Sequence, residues 1–132
     1  MTSFWNEKRV VVTGGAGFLG SFVVEQLQAK GCRDISVPRS KDYDLVQMDA
    51  VKQLYSDSAP DIVIHLAARV GGIGANQANP GKFFYDNLMM GSQLIEVGRQ
   101  RGLKKFVALA WFAPIPPTRA ARWMTISGAL SL

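Results

Sequence analysis

The chain has 132 residues, of which 48% are hydrophobic and 19% charged, and its formal net charge is +5. This length suits one domain, and the apolar fraction is high enough for a packed core, which excludes wholesale disorder. The single Cys32 excludes an intrachain disulfide, and together with the single His65 it excludes a zinc-binding set. We therefore expect a soluble globular domain from a reducing, cytoplasmic environment.

Membranes and nucleic acids are not expected as partners. The start of the chain has no apolar segment typical of export signals, and the longest apolar run, residues 106–115, is too short to span a bilayer. The positive charge is spread along the chain without a basic run interleaved with aromatic residues. Such a charge suits an anionic small ligand, nucleotides included.

Apolar patterns along the chain predict strands that alternate with helices. Residues 8–13 form a β-branched run that stops at glycines, and from Leu19 apolar residues recur at helical spacing up to Lys30. Pro38 ends a second strand at 34–37, because proline cannot donate to a central ladder. The later predicted elements are a loop at 38–46, a small helix around 51–55, a strand at 62–66, a loop at 71–80, a longer helix from Phe84 to about 99–102, and a strand at 105–110.

This alternation predicts an α/β fold with parallel strands, since each return to the same edge of a sheet requires a crossover helix. We expect a partial Rossmann fold of about four parallel strands with helices on both faces, within residues 1–110. Residues 111–132 show no periodicity, and we expect an irregular tail there. An uncovered far edge of the sheet would favour aggregation. The tail that contains Trp111 and Trp123 either covers this edge or stays disordered, and we favour disorder.

The glycine-rich turn after the first strand carries the most specific motif. Gly15, Gly17 and Gly20 satisfy GxGxxG between a predicted strand and a predicted helix. In that context the turn can adopt positive φ, the backbone can approach a pyrophosphate, and a helix N-terminus faces the phosphates. A glycine turn without a ligand is the alternative. The predicted cofactor-binding residues here are Gly14, Gly15, Ala16, Gly17, Phe18, Leu19 and Gly20.

The residues after the second strand bear on the choice of cofactor. NAD-binding domains usually carry an acid at this point, and NADP-binding domains a basic residue. This chain has Arg39, Ser40 and Lys41, with no carboxylate before Asp42. A guanidinium can pair with a 2′-phosphate through two charge-assisted hydrogen bonds, so we predict NADP as the cofactor. A solvated basic loop is the alternative.

The end of the third strand supplies the last predicted cofactor-binding segment. It consists of Leu66, Ala67 and Ala68, and the small alanines would let a flat cofactor lie against the backbone. We interpret the preceding His65 as a structural residue. The glycine-rich residues 71–74 resemble a second phosphate loop but lack a helix directly after them, and we expect them near the substrate.

Four motifs occur in the order and spacing of a known family. TGGAGFLG, SKDYDL, HLAARVGGIGAN and FFYDN, all within residues 8–110, resemble GDP-L-fucose synthase, one of the extended short-chain dehydrogenases/reductases. The resemblance implies an enzyme that takes GDP-4-keto-6-deoxy-mannose, epimerises it at two carbons and reduces the ketone with NADPH to give GDP-L-fucose. It also implies that residues 14–20 bind the cofactor and that a GDP-sugar is the substrate.

The chain departs from that family at the catalytic residues. The resemblance implies a serine in the loop after the fourth strand and a Tyr-x-x-x-Lys pair on the next helix, where lysine lowers the pKa of the tyrosine that acts as acid. Here Trp111 and Phe112 follow the strand, and none of Tyr43, Tyr55 and Tyr85 has a lysine four residues later. We therefore assign no catalytic residue.

Three hypotheses about function follow from this departure. In the first, the chain is a truncated cofactor-binding portion of a fucose synthase, inactive alone, and residues 111–132 are foreign to the family through an altered reading frame. In the second, it is a non-catalytic NADP-binding or interaction module that forms a homo-oligomer or pairs with a full-length homologue. In the third, it is a misfolded product without function, because of its exposed sheet edge.

Overall fold

A computed structural model describes residues 4–68, 80–110 and 124–125. A short 3₁₀ helix, Phe4–Glu7, precedes the first strand. Strands and helices then alternate, as the apolar patterns predict. The strands are β1 (Arg9–Thr13), β2 (Asp34–Ser36), β3 (Ile62–His65), β4 (Lys105–Ala110) and β5 (Met124–Thr125), and the helices are α1 (Phe18–Ala29), α2 (Met48–Ser58) and α3 (Pro80–Gln100).

The strands form one sheet in the order β2-β1-β3-β4-β5. β1 to β4 are parallel, and β1 is an interior strand, with Val11 opposite Ser36 of β2 on one side and Val63 of β3 on the other. Four parallel strands with intervening helices confirm the predicted partial Rossmann fold.

The far edge of β4 has a partner at its carboxyl end. β5 pairs with it antiparallel, with Leu109 opposite Thr125 and Ala110 opposite Met124. This two-residue strand belongs to the tail, for which the sequence predicted no regular element. The other tail residues, Trp111 and Trp123 among them, lie outside the described residues.

Both faces of the sheet are covered, because successive residues of a strand point to opposite sides. Val10 and Val12 belong to a core cluster that includes Leu27 of α1. Val11 points the other way, into a cluster that contains buried residues of α2 and α3, such as Val51 and Leu94. β1 is therefore apolar at its three middle positions, as is usual for a parallel strand buried on two sides. The prediction of helices on both faces is confirmed.

The helices end where residues adopt left-handed backbone conformations. Gly31, after the end of α1, has a φ of 93°, and Gly102, after α3, has a φ of 73°. Glycine is favoured directly after a helix, because it adopts positive φ without the steric penalty of a Cβ. α2 ends differently, since Ala59 adopts a φ of 41° directly before Pro60, and no sequence pattern predicted that residue as a cap.

Two helices begin earlier than predicted. α2 begins at Met48, three residues before the apolar stripe that starts at Val51. α3 begins at Pro80, four residues before Phe84, although the glycine- and asparagine-rich pattern predicts a loop there. Proline is favoured in the first turn of a helix, because the amide it lacks would have no intrahelical acceptor there. That preference is the physical reason for this correction.

A close contact fixes the spacing between α2 and α3. Tyr55 of α2 is 2% exposed, and its hydroxyl donates to the carbonyl oxygen of Leu94 over 2.7 Å. Burial of this phenol raises the pKa of Tyr55. A Cβ at Gly98 of α3 would lie 2.8 Å from the Tyr55 hydroxyl oxygen, so glycine is needed for the two helices to approach this closely.

Apolar surface remains exposed beside α1. A cleft of about 290 Å³ is lined by, among others, Trp5 of the 3₁₀ helix, Phe22 of α1 and Ile64 of β3. None of the predicted cofactor-binding residues lines this cleft. Within the described ranges, no helix has both the length and the apolar character needed to cross a membrane.

Candidate cofactor site

The turn between β1 and α1 is tightly folded. Gly14 has a φ of 74°, a conformation that glycine adopts freely, and its carbonyl oxygen accepts a hydrogen bond from the Gly17 amide over 3.0 Å. A Cβ on Gly20 would overlap the Gly14 carbonyl oxygen and would lie 2.6 Å from the Cα of Gly15. Because these neighbours are backbone atoms, they cannot move aside. Glycine at position 20 therefore allows α1 to start directly against the turn.

The amino end of α1 is suited to an anion. Gly17 caps the helix without any side-chain hydrogen bond, and the first turn contains no acidic residue. The first amides of a helix have no intrahelical acceptors, and the helix dipole favours negative charge near them. The Phe18 ring packs edge-on against Phe22, with ring centroids 5.3 Å apart. Because the ring is engaged with Phe22, the group of Phe18 that can donate a hydrogen bond to a ligand at this turn is its backbone amide.

The carboxyl end of β2 contacts the glycine turn. A Cβ on Gly15 would lie 2.8 Å from a methyl group of Val37, the residue that follows β2. Gly15 and Val37 are thus packed against each other, and the chain reaches Arg39 two residues later. The predicted phosphate-binding turn and the loop at 38–46, which we call the specificity loop, therefore start next to each other at the carboxyl ends of β1 and β2.

The specificity loop forms a compact turn with exposed cations. The carbonyl oxygen of Arg39 accepts hydrogen bonds from the amides of Asp42 and Tyr43, over 3.0 and 2.9 Å. Arg39, Ser40 and Lys41 are all exposed. In the part of the chain that the structure describes, neither cation has a carboxylate partner within ion-pair distance. Both side chains are therefore available to an anionic ligand.

Two side-chain hydrogen bonds attach this loop to the helices behind it. The hydroxyl of Tyr43 donates to a carboxylate oxygen of Asp57 in α2 over 2.6 Å, a bond that raises the pKa of Tyr43 and lowers the pKa of Asp57. The side-chain amide of Gln93 in α3 donates to the Val46 carbonyl oxygen over 3.0 Å. Among the described atoms, the amide oxygen of Gln93 is buried without a hydrogen-bond partner.

The segment after β3 lies against the opposite side of the glycine turn. A Cβ on Gly14 would lie 2.8 Å from the backbone nitrogen of Ala67. The fully buried hydroxyl oxygen of Thr13 accepts hydrogen bonds from the amides of Leu66 and Ala67, over 3.1 and 3.2 Å. The Leu66 amide also donates to the carbonyl oxygen of Thr13 over 3.0 Å. Thr13 thereby ties the ends of β1 and β3 together.

His65, the last residue of β3, is buried next to Thr13. Its Nδ1 lies 2.6 Å from the Thr13 hydroxyl oxygen, and its ring is tilted against Phe106 with centroids 6.2 Å apart. Burial lowers the pKa of His65 to about 4, because the charged imidazolium would lose its hydration. The imidazole is therefore neutral near pH 7 and makes its hydrogen bond inside the fold.

The structure brings the three predicted segments together at the carboxyl ends of β1, β2 and β3. Residues 14–20 lie between residues 37–41, which follow β2, and residues 66–68, which follow β3. Ala16 and Ala68 are exposed there. The glycine-rich residues 71–74, predicted near a substrate, lie outside the described residues.

Sequence reasoning missed the side chains that hold these segments in place. They are Thr13, Tyr43 and Gln93. Thr13 and Tyr43 lie within the motifs TGGAGFLG and SKDYDL, but neither was predicted to hold these segments together. A polar hydroxyl at the carboxyl end of an otherwise apolar strand is the signal that could have drawn attention to Thr13. No comparable signal distinguishes Tyr43 or Gln93 from ordinary polar residues of a loop and a helix.

Comparison with known proteins places this geometry among nucleotide-sugar enzymes. The sequence profile described as NAD dependent epimerase/dehydratase family matches residues 10–110. The chain is similar to GDP-L-fucose synthase of Sinorhizobium fredii, with 36% identity over 102 residues that cover 77% of this chain and 32% of the relative. The chain spans about a third of the length of the curated relatives it matches.

Two solved structures show the same fold with different cofactors. The GDP-L-fucose synthetase from Naegleria fowleri bound to NADP has a TM-score of 0.70 and 32% identity, and the match covers 80% of this chain and 32% of that chain. The UDP-glucose 4-epimerase from Thermus thermophilus in complex with NAD has a TM-score of 0.67 and 31% identity, over 86% of this chain and 42% of that chain. The fold alone therefore does not select between NADP and NAD.

Proposed function

Since the chain belongs to the NAD dependent epimerase/dehydratase family, we propose that it binds NADP(H) where β1, β2 and β3 end. The observation that carries the proposal is the glycine turn, in which the close contact between Gly14 and Gly20 brings the turn directly against the start of α1, where no side chain caps the helix. A pyrophosphate there gains hydrogen bonds from backbone amides and a favourable helix dipole. Leu66, Ala67 and Ala68 line the adjacent side of the turn.

The choice of NADP over NAD depends on the loop after β2. Arg39 and Lys41 are exposed, and the loop that carries them is attached to α2 through Tyr43. A 2′-phosphate would pair with the Arg39 guanidinium and with the Lys41 ammonium, and Ser40 can donate a further hydrogen bond. NADH has no phosphate at this position and gains none of these interactions.

For the whole reaction we propose a GDP-sugar epimerase/reductase of the GDP-L-fucose synthase type. The proposal is supported by the GDP-L-fucose synthases among the relatives and by the motifs within residues 8–110. In that reaction GDP-4-keto-6-deoxy-mannose is epimerised and reduced to GDP-L-fucose. The cofactor-binding residues of this chain would hold the NADPH that supplies the hydride.

A second candidate is a module that binds NADP(H) without catalysing a reaction. The observation in its favour is that no tyrosine in this sequence is followed by lysine four residues later. Reduction of a ketone needs a proton donor at the developing alkoxide. Consumption of NADPH by the chain in the presence of the keto-deoxy sugar nucleotide would exclude the module. If no NADPH is consumed, a longer reading frame that encodes Tyr-x-x-x-Lys downstream would mark the chain as a portion of the enzyme.

Ligand-induced thermal stabilisation tests the cofactor proposal. We expect NADPH at about 100 times its Kd to raise the Tm by about 10 °C, because binding to the native state adds about 2.7 kcal/mol to a domain of this size. NADH should give a smaller shift at the same concentration. A flat response to both nucleotides would refute the cofactor proposal.

A matched pair of variants tests the specificity residues. The double variant Arg39→Ala/Lys41→Ala should lose at least about tenfold in NADPH affinity and keep its NADH affinity, because only the phosphate contacts are removed. Arg33→Ala is the control, since Arg33 is exposed and precedes β2 at the opposite end of the strand. The control removes one positive charge and the double variant two. A loss of binding free energy in Arg33→Ala that is half of the loss in the double variant would therefore show that net charge, not the loop, governs affinity.

A further inference from the structure

The buried pair formed by Thr13 and His65 lies directly behind the proposed cofactor site. Thr13 has no exposed surface, and His65 is 6% exposed. The Thr13 hydroxyl oxygen and His65 Nδ1 are 2.6 Å apart, and both residues end their strands next to the glycine turn. The other edge of the imidazole faces α3, where a Cβ on Gly91 would lie 4.0 Å from Nε2.

The positions of the neighbouring donors determine which atom carries each proton. The Thr13 hydroxyl oxygen accepts hydrogen bonds from the amides of Leu66 and Ala67, and backbone amides can only donate. A hydroxyl has two lone pairs and one hydrogen. The Leu66 amide is shared with the Thr13 carbonyl oxygen, but both amides direct their hydrogens at the hydroxyl oxygen. The hydroxyl hydrogen is therefore directed to His65 Nδ1, which is then unprotonated. The neutral imidazole therefore carries its hydrogen on Nε2.

We propose that His65 is a positioning residue for the cofactor site, because its Nδ1 holds the Thr13 hydroxyl in the orientation that accepts the amides of Leu66 and Ala67. These bonds keep the segment after β3 against Gly14, whose Cα hydrogens face the backbone nitrogen of Ala67. Without an acceptor at Nδ1, the Thr13 hydroxyl could rotate so that its hydrogen points toward one of the two amides. That amide would then lose the lone pair that accepts its hydrogen bond. The inference rests on the proposed binding of NADP(H).

The tautomer of the wild-type imidazole is the first test. The chain has one histidine, so a protein with isotopically labelled histidine nitrogens gives a single imidazole signal set in NMR. We expect a hydrogen on Nε2 and an unprotonated Nδ1 near neutral pH. A hydrogen on Nδ1, or rapid averaging between the two forms, would overturn the proposal whether or not NADPH binds.

Two substitutions separate positioning from general packing. His65→Asn places a side-chain carbonyl oxygen near the position of Nδ1, whereas His65→Leu keeps bulk without an acceptor. We expect the leucine variant to bind NADPH about tenfold more weakly and to exchange the Leu66 and Ala67 amide hydrogens faster, from the loss of about one hydrogen bond. The asparagine variant should restore most of the affinity and of the exchange protection.

The outcomes distinguish this inference from the function on which it rests. If the wild type binds NADPH and His65→Leu binds it equally well, the positioning role is wrong. If both variants are equally impaired, His65 acts through packing alone, and the positioning role is again wrong.

If the wild type binds no NADPH, the proposed function fails, and the positioning role in cofactor binding fails with it. The tautomer and the amide exchange rates then still decide the hydrogen-bond assignment. If His65→Leu does not fold, the rescue by asparagine and the wild-type tautomer decide the result.

Discussion

Acidification from about pH 7 to about pH 5 should destabilise the protein through a single group. The pKa of His65 is lowered to about 4 by burial, whereas the ordinary value is 6.5. As the pH falls below about 6.5, His65 is protonated in the unfolded chain, whereas in the native state it stays neutral until about pH 4. The unfolded state therefore binds more protons in this range, and stability decreases with decreasing pH. At about 1.4 kcal/mol for each pKa unit, the loss is about 2 kcal/mol by pH 5 and about 3 kcal/mol in full.

The window is selective because His65 is the only histidine of the chain. The carboxyl groups whose pKa is lowered, those of Asp57, Asp61 and Glu96, contribute stability that is lost only below their ordinary values near pH 4. Their titration therefore falls below the window in which His65 acts.

Urea unfolding followed by far-UV circular dichroism measures this loss. The free energy of unfolding should fall by about 2 kcal/mol between pH 7 and pH 5 with an unchanged m-value. In His65→Asn the curve should be nearly flat over the same range, because no group is left that titrates there. A wild type whose stability changes by less than about 0.5 kcal/mol, or a variant as pH-sensitive as the wild type, would refute the reasoning.

The remaining predictions concern glycines and a buried phenol. Gly20→Ala should weaken NADPH binding at least about tenfold in a titration, because its Cβ overlaps the Gly14 carbonyl oxygen and forces α1 away from the turn. Gly81→Ala is the matched control and should raise stability by up to about 1 kcal/mol, since a Cβ at this helical position meets no atom within 4 Å. Tyr55→Phe should lower stability by about 1 kcal/mol through the lost hydrogen bond to the Leu94 carbonyl oxygen, and should leave NADPH affinity unchanged. An unchanged urea midpoint would contradict that assignment.

Local signals were sufficient to predict most of the fold. The apolar run of β1 predicts burial on both faces, and each of its valines at positions 10 to 12 is at most 1% exposed. The glycine spacing predicts a turn that brings backbone against a helix start, and the contact between Gly14 and Gly20 provides it. These features depend on residues that are close in the chain, so their physical causes are visible in the sequence.

Features that depend on register between distant strands could not be predicted in this way. The bonds from Leu66 and Ala67 to Thr13 join residues more than 50 positions apart, and they exist because β1 and β3 end at the same level of the sheet. The hydrogen bond from Gln93 to Val46 likewise requires the packing of α3 on the loop that precedes α2. Neither contact leaves a local pattern in the sequence.

The interior position of β1 in the sheet has a consequence for the order in which the protein assembles. Both neighbours of β1 come later in the chain, and the hydrogen bond from its Arg9 amide to Asp61 spans 52 residues. Pairing over such separations is slow, because the entropy of closing the loop must be overcome before the contacts form. The glycine turn can form early with α1, but it meets the segment after β3 only once that strand has docked. A nucleotide that needs all three segments would therefore bind after the rate-limiting step and would slow unfolding without accelerating folding.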